Sequence, residues 1–458
     1  MMVVIGLLLF GSMPPKTANA QSEINDTQTA LVSEQMDNGW VAVVSYESVV
    51  DDKLGALEYD ELYFINNRTQ TKIGPFLRDE LSGTDKNGNP DGGDVFDIAI
   101  TPDNKTALIT SFGKSLLHFV DISNPYKPVY LGVLKMARFT EDIAITADGR
   151  YALISDGGYS PNLYSVDIAK RKLAYELIMP AYAHTEKGDP IYGYTNGVDV
   201  SKNGDVVAAD YIGGAVHYMT IEPDGSLIYK SSIRYFHNFA GDISYEPKKD
   251  YWPIRPVNVT FSPDGKTVLV ADVSDYYDNK LEKYTKAYGM GVLRLTQPGQ
   301  IELTEVITGL PHSMQSFAFS ENGDKVVCLG NNAGAYDASL KPSDSSALDA
   351  VYVMNVLGPG DISFDPAKFV TLERYTSSQL FGVDGLAVVK DNVYISYPTY
   401  SMDKFLYPDR YISIVNLNTL ELKPIFWVKT AVGRPGGVAS FYKSLTFIPM
   451  VSSEAGVH

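Results

Sequence analysis

An all-β chain folded as a seven-bladed β-propeller of four-stranded antiparallel blades is the architecture the sequence predicts, and three observations carry that prediction. An apolar stretch, a polar Asp/Asn-Gly or Asp-Asn turn and a second apolar stretch recur six times, at 97–110 (DIAITPDNKTALIT), 142–155, 198–209, 257–271, 316–330 and 385–397. The turn anchors Thr101, Thr146, Ser201, Ser262, Ser320 and Val389 stand 45, 55, 61, 58 and 69 residues apart. Helical periodicity longer than two turns is absent. A repeat longer than about 40 residues that carries several short strands is the signature of propeller blades.

Each unit reads as a hairpin, because Asp, Asn and Gly accept the positive φ a tight turn needs and the return strand is rich in β-branched residues. A third strand follows each hairpin, at 116–122 (LLHFVDI), 162–168, 215–221, 291–295, 350–356 and 410–417, and usually a fourth, as at 128–134. A seventh unit is split between the ends. Residues 436–450 read as an inner hairpin, while 61–66 and 72–76 read as outer strands without an inner pair, so joining them closes the ring and removes the exposed sheet edges of an open array. The strand 40–46 (WVAVVSY) has no assigned place in this scheme.

The 458 residues, 45% of them hydrophobic, supply ample material for a core and exclude disorder as the main state. Fifty-five acidic against 38 basic residues give a formal charge of −17, which repels phosphate backbones and anionic headgroups and argues against a nucleic-acid partner. The lone cysteine, Cys328, has no internal disulfide partner and reads as a small buried hydrophobe. Near the N-terminus the apolar run 3–10 followed by Ala18-Asn19-Ala20 reads as a secretory signal over residues 1–20, although no basic residue precedes the run. A flexible segment over 21–39 and the propeller over 40–458 complete the expected organisation. The expected location is therefore periplasmic, secreted or cell-surface. No stretch approaches eighteen apolar residues, so no membrane span is expected.

The Ser/Thr-Pro-Asp-Gly-Lys hairpins and the strands 163–168 (LYSVDI) and 351–356 (VYVMNV) resemble those of YVTN-repeat, lactonase-like seven-bladed propellers, and 117–132 is similar to an LVIVD repeat. The resemblance covers roughly residues 40–450. It implies the fold and permits a lactonase- or lyase-like activity, but no motif transfers catalytic residues one by one, and propellers of this kind serve as enzymes and binding platforms alike.

Propeller winding sorts the connections. Tight turns follow first strands and short turns follow most third strands, whereas the long connectors 79–94, 180–196, 233–256, 274–289, 331–349 and 398–409 all follow second or fourth strands and belong to one face, here the loop face. Long loops on a rigid scaffold carry binding and catalysis. These are rich in tyrosine and include Trp252, rings suited to sugars or partner surfaces. Inner strands start at the channel mouth on this face with polar residues: Asp97, Glu141 and Asp142, Asn196, Asn258, Gln315 with Ser316, and Asp384, with Arg255, His312 and Arg434 just ahead of inner strands. Such a ring can hold a metal or a polar ligand. Separately, the loop Asp85-Lys-Asn87-Gly-Asn89-Pro-Asp91-Gly-Gly-Asp94 places oxygen ligands at alternate positions, the pattern of a Ca²⁺ loop, but lacks the glycine and the twelfth-position glutamate of an EF-hand.

No nucleophile elbow, zinc-helix motif, P-loop, dinucleotide fingerprint or haem attachment is present, so no organic cofactor is indicated. His118 and His217 alternate with apolar residues in third strands and read as structural, while His184, His237 and His312 lie in or near loop-face connectors. The leading expectation is an exported binding or scaffold protein recognising a ligand, glycan or protein partner through its loop face. The alternative is a lactonase- or lyase-like enzyme with a polar, metal-containing or metal-free site at the channel mouth. The sequence does not fix oligomeric state.

Overall fold

The computed structural model describes residues 39–429 apart from 52–54, 93–94, 158–159, 235, 239–242, 245–250, 254, 273–274, 279–282, 287–288, 298, 309–311, 332–349, 366–367, 373–385 and 397–408. Seven antiparallel sheets follow one another along the chain as the blades of a β-propeller. Blade one spans 40–76, blade two 95–135, blade three 140–178, blade four 195–233, blade five 256–308, blade six 313–371 and blade seven 386–429. The one helix among the described residues is the short Arg78–Ser82.

Burial grades outward along each sheet. The inner strand Val95–Ile100 and its partner Thr106–Ser111 are almost wholly buried, whereas the outer strand Lys172–Ile178 of blade three is almost wholly exposed. The inner strands therefore read as near-continuous apolar runs because neighbours cover both faces, and the outer ones alternate. The core is a set of apolar layers between blades. Leu108 and Phe119 of blade two meet Ile143, Ile154 and Tyr164 of blade three, and comparable layers fill the other junctions.

The recurrent turn has a side-chain lock that explains its composition. Thr101 Oγ1 donates to Asp103 Oδ1 (2.7 Å) while accepting the Thr106 N–H (3.0 Å), and Asp103 Oδ1 also accepts the Lys105 N–H (3.1 Å). Thr146 with Asp148 and Ser262 with Asp264 repeat the arrangement. The residue after the aspartate takes positive φ in each case: Asn104, Gly149 and Gly265. Asparagine and glycine tolerate that region better than other residues.

Blade one supplies the closure. Trp40–Asp51, the strand without an assigned place, pairs along its whole length with Gly55–Asn66, which in turn pairs with Lys72–Phe76. The N-terminal contribution is thus three strands rather than two. Residues 436–450, expected to add the inner hairpin of this blade, lie outside the described residues. Ring closure is nonetheless visible in the packing, because Trp40, Val43, Phe64 and Ile65 share one apolar layer with Ile98 and Ile109 of blade two and with Ala387, Tyr394 and Ile414 of blade seven. Asn67 Oδ1 accepts the Tyr394 hydroxyl (2.5 Å) and the Asn392 amide (3.1 Å) across that junction. Burial pushes the Tyr394 hydroxyl well above the usual tyrosine range, which keeps it a donor near neutral pH. Replacing Asn67 with Ala leaves this buried hydroxyl unpaired; a loss of about 1–3 kcal/mol in urea unfolding is expected, and an unchanged midpoint would remove the junction from the stability of the ring.

Candidate active site

The polar mouth arises from a backbone irregularity shared by successive blades. Pairing between first and second strands shifts register between Val95 and Ile98, Thr140 and Ile143, Thr195 and Val198, Pro256 and Asn258, and Met314 and Ser316. A bulge frees a residue from the ladder and re-aims its side chain. The residues in or beside these bulges include Asp97, Glu141, Asp142, Asn196, Asn258 and Gln315, the mouth candidates read from sequence.

The freed groups are bonded between blades. Thr110 Oγ1 accepts the Asp97 N–H (3.0 Å) and donates to the Glu141 carbonyl of blade three (2.8 Å). Ser155 Oγ repeats this between the Asp142 N–H (2.9 Å) and the Asn196 carbonyl of blade four. The aspartate carboxylates cross the same gaps. Asp97 accepts from the Ile98 N–H (2.7 Å) and the Ile143 N–H (3.2 Å), and Asp142 from the Ile143 N–H (2.9 Å) and the Val198 N–H (2.7 Å). In blade four the equivalent position is Gly197, where a Cβ would lie 2.7 Å from the Asn258 Cα, so no aspartate fits. Asp199, two residues on and in the lining of the cavity at the opposite face, bridges blades four and five there instead, accepting the Val200 N–H (2.8 Å) and the Phe261 N–H of blade five (2.7 Å). Asp97 and Asp142 are thus occupied by backbone donors.

Glu141 differs. It is buried, Oε1 accepts the Asn196 side-chain amide (3.0 Å), and burial, reinforced by the Asp142 and Asp156 carboxylates, pushes its carboxyl up to about 8. Its other oxygen fills the space beside Gly157, whose Cβ would lie 1.8 Å from Glu141 Oε2 and 2.9 Å from Phe112 Cε2. Asp156 in turn accepts the Tyr164 hydroxyl (3.1 Å). A carboxyl poised near neutrality beside two further carboxylates is chemically competent to donate or accept a proton.

The remaining candidates are dispersed. His312 is buried, hydrogen-bonded through Nδ1 to the Tyr352 hydroxyl and packed edge-on against Phe369. The Arg255 N–H donates to Asp272 Oδ1 (2.9 Å), and its guanidinium lies 5.7 Å from the Tyr211 ring centroid. Asn258 Oδ1 accepts the Thr260 hydroxyl (3.1 Å), and Gln315 is buried at the bulge of blade six. Trp252 lies in the short strand Tyr251–Pro253 of the 233–256 connector. Asp384 and Arg434 lie outside the described residues. The third-strand histidines sit in parallel settings: His118 Nδ1 contacts the Tyr130 hydroxyl (3.0 Å), and His217 bridges Asp210 (3.3 Å) and Tyr229 (3.5 Å). Burial lowers His118 to about 4, keeping it neutral.

In the proposed calcium loop, Asp85 accepts the backbone N–H groups of Asn87 (2.7 Å) and Asn89 (2.9 Å) and both side-chain amides, bonds that hold it below the usual carboxylate range. Asp91 faces Lys114 Nζ (3.6 Å), and Asp94 lies outside the described residues. Among the described residues no three carboxylate, imidazole or thiol groups come together to hold a metal.

Three phenylalanines at the mouth escaped the sequence reading. Phe96, Phe112 and Phe139 stack in series with centroids 5.5 and 5.0 Å apart and planes inclined by 30° and 26°. At the opposite face the channel opens into a cavity of about 400 Å³ lined by inner-strand ends, among them Ile145, Val200, Phe261, Phe317 and Leu386. Asp199, Ser201, Lys202 and Glu321 line it as well, so polar groups stand at both ends of the channel.

No family model matches the chain, and no curated protein sequence does. Solved structures do. A functionally unknown protein from Desulfotomaculum acetoxidans is 18% identical with a TM-score of 0.56, the match covering 87% of this chain and 99% of that one. A periplasmic gluconolactonase from Pseudomonas aeruginosa is 10% identical with a TM-score of 0.54 over 87% of this chain and 99% of that one. A Bacteroides uniformis protein proposed to be a 6-phosphogluconolactonase is 12% identical with a TM-score of 0.54 over 85% and 97%. At such identities the likeness establishes the shared propeller fold, lactonase-like propellers included. The YVTN and LVIVD repeat names rest on the quoted segments alone.

The raised Glu141 carboxyl has a stability consequence. The group binds its proton more tightly folded than unfolded, so its neutral state is accommodated below about pH 4.5, and stability falls as pH rises from there to about 8, by on the order of 1.4 kcal/mol per pH unit at most. Glu141→Gln, which keeps an acceptor for Asn196, is expected to flatten thermal stability between pH 5 and 8 and to raise Tm at pH 8. An unaltered pH profile would show that Glu141 is not the group responsible.

Proposed function

We propose that the protein hydrolyses cyclic esters of the lactone class at the loop-face mouth of its central channel, with Glu141 as the acid–base group. One observation carries the reading: a buried carboxyl, bonded to Asn196 and flanked by Asp142 and Asp156, whose proton affinity is raised to about 8. The likeness in fold to lactonase-like propellers supports this reading over the non-catalytic binding platform that sequence alone favoured.

In this scheme the Glu141 carboxylate takes a proton from water as the water oxygen bonds to the lactone carbonyl carbon. The acyl C–O ring bond then breaks, and the departing ring oxygen receives the proton back from Glu141. Water is added overall, and the product is a hydroxy acid. The carboxylate form is the base, so activity rises with pH through about 8. Burial of the carboxyl makes it a stronger base than an exposed glutamate, and Asn196 fixes its orientation. The apolar run 3–10 and the Ala18-Asn19-Ala20 site support export of the chain and, with it, an activity outside the cytoplasm. Among the described residues no helix is long and apolar enough to cross a membrane.

The test is pH-stat hydrolysis of a lactone panel that includes glucono-δ-lactone. Expected is a kcat/KM that climbs to a plateau with an apparent pKa near 8, and a loss of about 10²–10⁴-fold in Glu141→Gln with the fold retained. Absence of hydrolysis across the panel by well-folded protein would return the chain to the binding-platform class.

A further inference from the structure

We propose that Phe96, Phe112 and Phe139 form a ring-binding subsite beside Glu141, so that the preferred lactone carries an aromatic or other flat apolar substituent rather than a bare polyhydroxylated ring. The inference rests on the hydrolase reading for its chemistry, but the subsite itself stands on separate geometry.

The three rings come from distinct places on the loop face. Phe96 lies at the bulge of the inner strand Val95–Ile100, Phe112 follows the second strand of blade two, and Phe139 immediately precedes the inner strand Thr140–Ile145 of blade three. Their near-parallel stacking at 5.5 and 5.0 Å makes a ladder that climbs from a buried base, Phe96 at 7% exposure, to an open face, Phe139 at 39%. Offset stacking continues favourably onto any further ring at a centroid distance of about 4.5–7 Å, so the exposed end of the ladder, Phe139, can take one more ring.

The ladder adjoins the carboxyl. The edge of Phe112 and Oε2 of Glu141 flank the same point above Gly157, the position a Cβ there would occupy. A ligand whose flat substituent lies on this stack thus holds its remaining atoms next to Glu141 and Asn196. Phenylalanine rings offer no donor or acceptor to replace water around sugar hydroxyls, whereas an aryl or alkyl face loses only unfavourable hydration when it stacks. The subsite therefore selects by the apolar substituent, and the carboxyl acts on the ester joined to it.

The experiment compares 3,4-dihydrocoumarin, a lactone fused to a benzene ring, with glucono-δ-lactone, using full-length protein. Expected is a higher kcat/KM for dihydrocoumarin. In Phe139→Ala the ratio of the two kcat/KM values should fall at least tenfold, chiefly through KM for the aryl substrate, and Phe139→Trp should restore it. A ratio unmoved by Phe139→Ala, or glucono-δ-lactone strongly preferred by the wild type with hydrolysis still dependent on Glu141, would overturn the subsite while leaving the hydrolase reading intact. If neither lactone is hydrolysed, that reading falls, and saturation-transfer NMR with dihydrocoumarin decides the subsite alone: binding lost in Phe139→Ala and regained in Phe139→Trp supports it, and binding absent or unaffected overturns it.

Discussion

The aspartates that cross from one inner strand to the next are the constraint from which the mouth of this propeller follows. Inner strands of neighbouring blades are not paired with each other in any sheet, so their bulged N–H groups would be buried without partners near the channel. Asp97 and Asp142 answer this by accepting one N–H from their own strand and one from the next blade, and Asp199 makes the same kind of bridge between blades four and five toward the opposite face. Each carboxylate is stabilised by two backbone donors and couples the position of its blade to that of its neighbour. The hydroxyls of Thr110 and Ser155 add a second link at two of these gaps.

Against that background Glu141 stands out through the absence of such service. Its neighbour Asp142 takes the backbone donors, and what remains for Glu141 is one side-chain amide, a buried setting and two like charges. Burial first, and the two neighbouring carboxylates after it, raise the proton affinity of this carboxyl. The proposed hydrolysis rests on this difference between Glu141 and the neighbouring acids.

Much of this was legible in the sequence and some was not. The Thr-Pro-Asp-Asn and Ser-Pro-Asp-Gly turns announced the hairpins because the side chain that locks the turn sits within five residues of its partners. The polar starts of the inner strands marked the mouth. What could not be read was everything set by contacts between blades. Trp40–Asp51 had no evident place because its partner Gly55–Asn66 begins with the unpatterned stretch 55–60 and because its burial depends on blades two and seven. The Phe96–Phe112–Phe139 stack was invisible because its members, one in an inner strand and two beside strand ends, have no common spacing. His312 drew notice as a loop-face base, yet it packs with Tyr352 and Phe369, a contact that only the third and fourth strands of blade six create. The Asp85 loop has the composition of a cation site, yet its described part is held by Asp85 accepting from Asn87 and Asn89.

The shared layer between blades one, two and seven sets a timetable for synthesis. Trp40, Phe64 and Ile65 belong to the first blade to leave the ribosome, yet the side chains that cover them from blade seven, Ala387, Tyr394 and Ile414, emerge more than three hundred residues later. Blades two to six can stack progressively as they appear, while the first waits with one apolar flank open until the last arrives. Closure between blades one and seven is thus a long-range step of folding, and chains cut short before blade seven are expected to keep an apolar flank open to aggregation.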